Sequence, residues 1–172
     1  VLISGISDFT IYKKDEDYNR HLASIVENSD DAIISESLDG TIKSWNNGCE
    51  KMFGYTAKEA VGKNISLIIP REYSSSGKKI LERVRQNKMI DHYETVRNKK
   101  NGEQIYVSLT VSPLKDEAGN IIGISKIARD ITSRKKFEGD LIEANKELAF
   151  QNKEKEKRAA ELIIANKELA FQ

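Results

Sequence analysis

Apolar and polar residues alternate over residues 106–114, in the segment YVSLTVSPL. Alternation with a period of two places successive side chains on opposite faces of a strand, so this segment is predicted to be a half-buried β-strand. Four other segments combine apolar and β-branched residues with bounding turn signals, and they are also predicted to be strands. They cover residues 32–37, 41–46, 89–98 and 121–132.

Turn signals join these predicted strands in sequence. Asp39-Gly40 lies between the first two strands, and Asn101-Gly102 lies between the third and the fourth. Both dipeptides favour the positive φ that tight hairpin turns require. A further turn is predicted at 116–120, so the last three strands are expected to follow one another directly.

Helical spacing replaces the alternation between the second and third predicted strands. Thr56 followed by Glu59 matches a capping box that opens a short helix, and Pro70 stops an apolar turn. A longer helix is predicted over residues 74–87, and an amphipathic helix over 18–28 precedes the first strand. The order of two strands, several short helices and three strands is typical of a mixed α+β domain.

The last part of the chain carries leucines at intervals of seven residues. These leucines are Leu141, Leu148, Leu162 and Leu169, and Lys155 interrupts the series once. The spacing predicts a long helix over residues 133–172 that pairs as a coiled coil. The second seam position is either Ala144, Gln151, Arg158 and Ala165, or Asn145, Asn152, Ala159 and Asn166. Both sets are polar for a seam, so the predicted pairing is weak.

The same segment repeats its own sequence. LIEANKELAFQ at 141–151 returns as LIIANKELAFQ at 162–172, with an offset of 21 residues, which is three heptads. A slip of that size would preserve the seam, and the repetition also permits antiparallel pairing. We predict a parallel homodimer. The alternative is a solvated single helix, which would lack a buried face to stabilise it.

Charge and cysteine content limit the classes of partner. The chain has 172 residues and a formal net charge of +1, and the lysines of its last segment alternate with glutamates. This balance leaves no basic stripe for nucleic acid and no field that would attract an anionic membrane. No apolar run approaches ~18 residues. The single cysteine, Cys49, suits a reducing compartment, so a cytoplasmic segment without nucleic-acid or membrane contacts is expected.

A second repeat relates the beginning of the chain to the last predicted strand. DFTIYKKDE at 8–16 resembles DITSRKKFE at 130–138, and a strand-like stretch precedes each copy. Residues 1–20 are therefore interpreted as the tail of a preceding, similar module and a linker helix. Coincidence in a charged linker is the alternative. Because the chain does not begin with methionine, we expect it to be part of a longer protein.

Five motifs in order resemble the PAS domain family. They are LDGTI with Trp45 and Asn46, NNGCEKMFGYTAKEAVGKN, IIP followed by a helix, NKKNGEQIYVSLTVSPLKDEAGNIIG, and RDIT before a charged helix. Each motif alone is weak evidence. All five, at family-like spacing over about two thirds of the chain, are a specific signal.

The resemblance implies a five-stranded antiparallel sheet with short helices over one face, which enclose a pocket. It implies a sensory domain at 21–132 that passes a change to an output domain, often a histidine kinase of a two-component phosphorelay. Asp130 and Thr132 match the family's hinge, where the last strand meets a signalling helix at 133–172. The expected partners are a second copy of the chain, from the leucine spacing, an adjacent PAS domain, from the repeat at 8–16, and the output domain that the resemblance implies.

The matching positions argue against two cofactors that members of the family bind. Ile65 stands where the light-sensing members carry the cysteine that bonds to flavin, and Cys49 lies in a different predicted helix. Gly77 stands where haem-binding members carry the histidine that ligates iron. His21 and His92 are isolated, and no group of residues has metal-ligand spacing. A covalent flavin adduct, haem and a bound metal are therefore not expected.

A pocket for an unidentified small ligand is compatible with the resemblance. The candidate lining residues are Ile33, Ser35, Ile80, Val84, Tyr93, Ser108 and Thr110. The alternative, which we favour on the apolar residues alone, is a core filled at normal packing density. No nucleophile elbow, phosphate-binding loop or paired carboxylate is marked out, so we expect no catalysis. The two remaining hypotheses are a sensor and transmitter, and a ligand-free dimerisation or spacer module.

Overall fold

The computed structural model describes residues 16–169 of the chain. The predicted strand remnant at 1–7 and most of the predicted tail of a preceding module lie outside the described residues. Residues 16–27 form helix α1. The chain divides into one compact unit that ends at Ile131 and a second unit that begins at Thr132.

Five strands form the sheet of the first unit. They are β1 (Ala32–Ser37), β2 (Ile42–Trp45), β3 (Ile90–Asn98), β4 (Gln104–Lys115) and β5 (Ile121–Asp130). Their spatial order is β2-β1-β5-β4-β3, so the last strand lies at the centre of the sheet. All four pairings are antiparallel, which confirms the expected fold. The last strand ends at Asp130 and not at residue 132 as predicted.

Short helices connect β2 to β3. They are α2 (Asn47–Phe53), α3 (Ala57–Ala60), two 3₁₀ helices at Ile65–Ile68 and Arg71–Tyr73, and α4 (Ser76–Arg85). At the start of α3, the backbone N–H and the hydroxyl of Thr56 both donate to Glu59 Oε2, at 3.0 and 3.1 Å. This contact confirms the predicted helix start. Helix α4 is shorter than predicted because Asn87 takes a positive φ of 56°, which ends the helix.

The helices cover one face of the sheet and form the core with it. Strand β4 shows the predicted alternation, since Val107, Leu109 and Val111 are buried and the residues between them are not. These side chains belong to the same buried cluster as Phe53 of α2 and Val84 of α4. Burial of this apolar area is the main favourable term in the folding of the unit.

The β1–β2 hairpin is closed by a turn around Asp39 and Gly40. Gly40 has a φ of 84°, as the Asp-Gly pattern predicts, because a residue without a Cβ reaches this conformation without strain. The Asp39 carboxylate accepts hydrogen bonds from Ser37 Oγ at 2.6 Å and from Thr41 N at 3.1 Å. These two bonds hold the pKa of Asp39 low, at about 2. The turn is therefore stabilised by an ionised carboxylate.

The second unit is one helix, α5 (Thr132–Leu169), of 38 residues. Its described side chains from Lys136 to Lys167 are all exposed, and Leu141, Leu148 and Leu162 are 63%, 57% and 66% exposed. The predicted long helix is confirmed, and its pairing with another helix stays a prediction. None of the described helices is both long enough and apolar enough to span a lipid bilayer.

Candidate functional site

A cavity of about 550 Å³ lies between the sheet and the helices that cover it. The apolar part of its wall is formed by Leu38, Ile65, Ile69, Ile80, Leu81 and Ile124. The polar part is formed by Glu36, Asp39, Asn64, Ser66, Arg71, Ser74, Arg97 and Lys126. A volume of this size falls within the range of roughly 300–1,000 Å³ that is usual for small-molecule sites.

Three charged side chains of the cavity wall project from the sheet itself. Glu36 on β1, Arg97 on β3 and Lys126 on β5 are 4%, 3% and 7% exposed. Lys126 pairs across the strands with Ile34, which is buried in the core. Because residues two apart on a strand share a face, Glu36 lies on the same covered face as Ile34 and Lys126.

Glu36 and Lys126 form an ion pair, with 2.6 Å between Glu36 Oε1 and Lys126 Nζ. Burial lowers the pKa of the Lys126 ammonium below its ordinary value, and the neighbouring Glu36 carboxylate partly offsets this effect. The other oxygen, Glu36 Oε2, is buried without a hydrogen-bond partner among the described residues. A buried acceptor without a donor costs about 1–3 kcal/mol.

Arg97 is held by neutral groups of its own strand. Its Nη1 donates to Thr95 Oγ1 at 3.1 Å and to the Val96 carbonyl at 2.7 Å. Burial lowers the pKa of the guanidinium to about 10, against the raising effect of Tyr93 and Glu36. Arg97 therefore remains protonated at neutral pH, and the three buried charged residues on the covered face are two cations and one anion.

Three of the residues predicted to line a pocket lie on the covered side of the sheet. Ile80 of α4 lines the cavity. Val84, one helical turn further along, is fully buried in the core cluster. Tyr93 lies opposite the buried Leu109 in the β3–β4 ladder and is 37% exposed. Of these three, the cavity wall includes Ile80 alone.

The other four predicted lining residues lie on the opposite face of the sheet, so their assignment to the pocket is corrected. They are Ile33, Ser35, Ser108 and Thr110. Each is adjacent in sequence to buried residues of the covered face, and adjacent strand residues point to opposite sides. The Ser35 hydroxyl lies 2.6 Å from that of Ser44, at an exposed position. The prediction missed Glu36, Arg97 and Lys126, which occupy the inward positions.

The positions that decided the cofactor predictions lie in the cavity wall and in α2. Ile65 and Gly77, which match the cysteine and histidine positions of other family members, both line the cavity. Cys49 is buried in α2, where its thiol donates to the Ile33 carbonyl at 3.3 Å. Burial raises the pKa of this thiol to about 12, so it stays protonated and unreactive near neutral pH. The expectations against a covalent flavin adduct and haem stay predictions.

An antiparallel sheet of order β2-β1-β5-β4-β3, helices over one face and a cavity between them define an α+β domain with room for a small ligand. Residues 30–133 match the sequence profile of the PAS domain. The chain therefore belongs to the PAS domain family, whose fold is generally a sensory, non-catalytic module.

Known proteins of three kinds are similar to this chain. Two-component system protein A of Emericella nidulans is 30% identical over 121 residues, which are 69% of this chain and 17% of that protein. The cell-division control histidine kinase PdhS of Brucella ovis is 26% identical over 136 residues, 77% of this chain and 13% of the kinase. The crystal structure of a PAS domain from Colwellia psychrerythraea matches with a TM-score of 0.63 and 24% identity, covering 67% of this chain and 98% of that domain.

The PAS domain therefore has relatives among two-component system proteins and histidine kinases. The chain spans only 17% and 13% of the length of the two curated relatives. The activity of these whole proteins is therefore not assigned to this chain.

Proposed function

We propose that this chain is the input and transmitter segment of a longer signalling protein. In this proposal the cavity receives a ligand, strand β5 carries the resulting change along the sheet, and α5 passes it to an output domain. The proposal is supported chiefly by the position of Lys126. This residue belongs both to the cavity wall and to the strand that leads into α5.

The path from the cavity to the helix is short. Lys126 and Asp130 belong to the same strand, and α5 begins at Thr132. The residue between strand and helix, Ile131, is 8% exposed, and its N–H donates to the Tyr106 carbonyl at 2.9 Å. We propose Asp130 and Thr132 as the hinge, because they flank Ile131, whose N–H is anchored to β4.

Pairing of α5 with the α5 of a second copy is part of the proposal. At about 1.5 Å per residue, its 38 residues span about 57 Å, enough to carry a change far from the cavity. Leu141, Leu148 and Leu162 are exposed in the single chain at intervals of seven residues. Helices gain most of their stability from packing, so a second copy that covers this seam would stabilise the helix.

The proposed output is a histidine kinase of a two-component phosphorelay. The motivation is the similarity to two-component system protein A and to the kinase PdhS, which are both much longer than this chain. Adjacent PAS and output domains would then belong to the same parent protein. A cytoplasmic location of this segment is part of the same proposal.

The test is to fill the cavity in the full-length parent. A Cβ built on Gly77, in the cavity wall, meets no atom within 4 Å, so Gly77→Leu can place a side chain in the cavity without displacing backbone. Glu82→Leu is the matched control, because Glu82 is exposed on the same helix. Gly77→Leu is expected to fix the kinase output in one state, while Glu82→Leu leaves it responsive. A Gly77→Leu parent with a normal response favours the spacer hypothesis.

A further inference from the structure

The charges of the cavity wall do not balance. Inside, the buried Glu36 faces two buried cations, Arg97 and Lys126. At the rim, Asp39 and Arg71 carry opposite charges, and both are exposed to solvent. The formal charge of the wall is therefore +1, and the excess positive charge lies inside, where water cannot screen it.

The excess positive charge is assigned to Arg97. Glu36 is committed through Oε1 to Lys126 at 2.6 Å, whereas the hydrogen bonds described for Arg97 go to the hydroxyl of Thr95 and the carbonyl of Val96. Both of these bonds leave from Nη1. Among the described residues, the Nε and Nη2 positions have no acceptor, and a carboxylate can engage two guanidinium nitrogens at once.

Glu36 has the complementary deficiency. Its Oε2 is buried and lacks a donor among the described residues. The wall of the cavity thus contains one buried cation without a hydrogen bond to an anion among the described residues, and one buried acceptor without a donor. Native proteins leave few buried polar atoms unsatisfied, so Glu36 Oε2, together with the excess positive charge on the same wall, indicates the chemistry of what binds there.

The apolar residues of the cavity wall indicate what the uncharged part of the ligand must be like. Ile65, Ile80 and Leu81 of the covering helices and Ile69, just after the first 3₁₀ helix, line the cavity together with Ile124 and the charged residues of the sheet. A molecule that fills this space contacts hydrocarbon on the helix side and charged groups on the sheet side. It therefore needs an apolar body with one anionic end.

We infer that the cavity binds a small organic carboxylate with an apolar body and a hydroxyl or N–H beside the carboxylate. This inference rests on the proposed function and deepens it, since it names the chemical class of the signal. The carboxylate pairs with Arg97, the adjacent donor serves Glu36 Oε2, and the apolar body lies against α4. An ammonium or an uncharged apolar molecule would leave Arg97 uncompensated.

Four probes of equal chain length test the inference on the purified chain. They are 2-hydroxyhexanoate, hexanoate, hexan-1-ol and hexylamine, titrated into ¹⁵N-labelled protein and followed by NMR. Hexanoate is expected to bind at least about tenfold more tightly than hexan-1-ol, which is about 1.4 kcal/mol. 2-Hydroxyhexanoate is expected to bind several-fold more tightly still, and hexylamine most weakly. The shifted amides are expected on β1, β3 and β5.

Two substitutions locate the effect at Arg97. Arg97→Leu is expected to remove the preference for hexanoate over hexan-1-ol while hexan-1-ol still binds, which shows that the cavity persists. Arg97→Lys keeps the positive charge but loses the two parallel N–H donors of the guanidinium. It is expected to keep part of the preference for hexanoate over hexan-1-ol. Arg85→Leu, at an exposed position of α4 outside the cavity wall, is the control and is expected to retain all of it.

The results separate this inference from the proposed function. Equal affinity for hexanoate and hexan-1-ol, or no binding of any probe, overturns the carboxylate assignment. Equal affinity for 2-hydroxyhexanoate and hexanoate overturns the inference that a ligand hydroxyl donates to Glu36 Oε2. Neither result affects the cavity-filling test with Gly77→Leu. Conversely, the chain could bind carboxylates selectively while the Gly77→Leu parent responds normally. That result supports the carboxylate site and rejects the proposed transmission from the cavity to the output domain.

Discussion

Glu36 on β1 and Lys126 on β5 form an ion pair with 2.6 Å between Oε1 and Nζ, and their side chains are only 4% and 8% exposed. The pair lies diagonally across the β1–β5 ladder, since Lys126 is opposite Ile34 and Glu36 is opposite Ile124. It ties the central strand of the sheet to its neighbour at the cavity wall. Breaking the pair therefore tests both the stability of the sheet and the charge of the cavity.

Removal of one partner is expected to be costly. Lys126→Met removes the one group that hydrogen-bonds to the buried Glu36 carboxylate among the described residues, so we expect a loss of about 3–5 kcal/mol in the free energy of unfolding, measured in urea. The double variant Glu36→Met and Lys126→Met is expected to recover most of that loss. The control is Lys51→Met, because Lys51 and Asp30 form an exposed pair worth at most about 1 kcal/mol. Equal effects at Lys51 and Lys126 would contradict the assignment.

Two glycines on helices are expected to respond in opposite directions to alanine. A Cβ on Gly48 would lie 2.4 Å from the Asp31 carbonyl oxygen, whereas a Cβ on Gly77 meets nothing within 4 Å. Gly48→Ala is therefore expected to destabilise the protein by about 1–3 kcal/mol, as overpacking does. Gly77→Ala is expected to stabilise it by about 0.5–1 kcal/mol. Urea unfolding of both variants checks the prediction, and a neutral Gly48→Ala would refute the close packing of α2 on this loop.

The hairpin turn is expected to lose stability in acid. Hydrogen bonds from Ser37, which have the larger effect, and from Thr41 lower the pKa of Asp39 in the folded protein to about 2. In the unfolded chain an aspartate titrates near ~3.9. A lowered folded pKa means that the stabilisation is present above the unfolded value and is lost as the pH falls towards 2. NMR titration of the carboxyl carbon measures this pKa. A midpoint near 4, or an Asp39→Asn variant with unchanged acid sensitivity, would contradict the turn geometry.

Much of the fold follows from local signals in the sequence. Asp39-Gly40 and Asn101-Gly102 predicted two hairpins correctly, because these pairs favour the positive φ found at Gly40 and Gly102. The central pairing of β1 with β5 has no such signal. It brings Ala32 opposite Ala128, and only the packing of the whole chain selects a contact between residues so far apart.

The candidate site was predicted less well, for a reason that lies in β1. Ile33 and Ile34 are both apolar, so either could have pointed inwards, and the prediction chose the wrong one. The residues that matter, Glu36 and Lys126, are charged at inward positions, where the alternating pattern requires apolar side chains. Such departures from the pattern are themselves a signal, because proteins tolerate them mainly at functional sites.

The proposed hinge is tested by Asp130→Ala in the full-length parent. The substitution changes an exposed side chain at the end of β5, so the fold is expected to persist while the output stops responding to the input. Circular dichroism and thermal unfolding check the fold, and the kinase reaction checks the response. Glu117→Ala, at an exposed position in the β4–β5 turn, is the control. A normal response of the Asp130→Ala parent would exclude the hinge role.

The coupling of the cavity to α5 is measured most directly by pulsed EPR on the purified chain. A nitroxide at Lys146→Cys, in a Cys49→Ala background, reports the distance between two paired α5 helices. We predict an intersubunit distance in the otherwise unchanged chain, a shifted distribution after Gly77→Leu, and no shift after Glu82→Leu. Identical distributions with the cavity open and filled, or no intersubunit distance at all, would contradict the account.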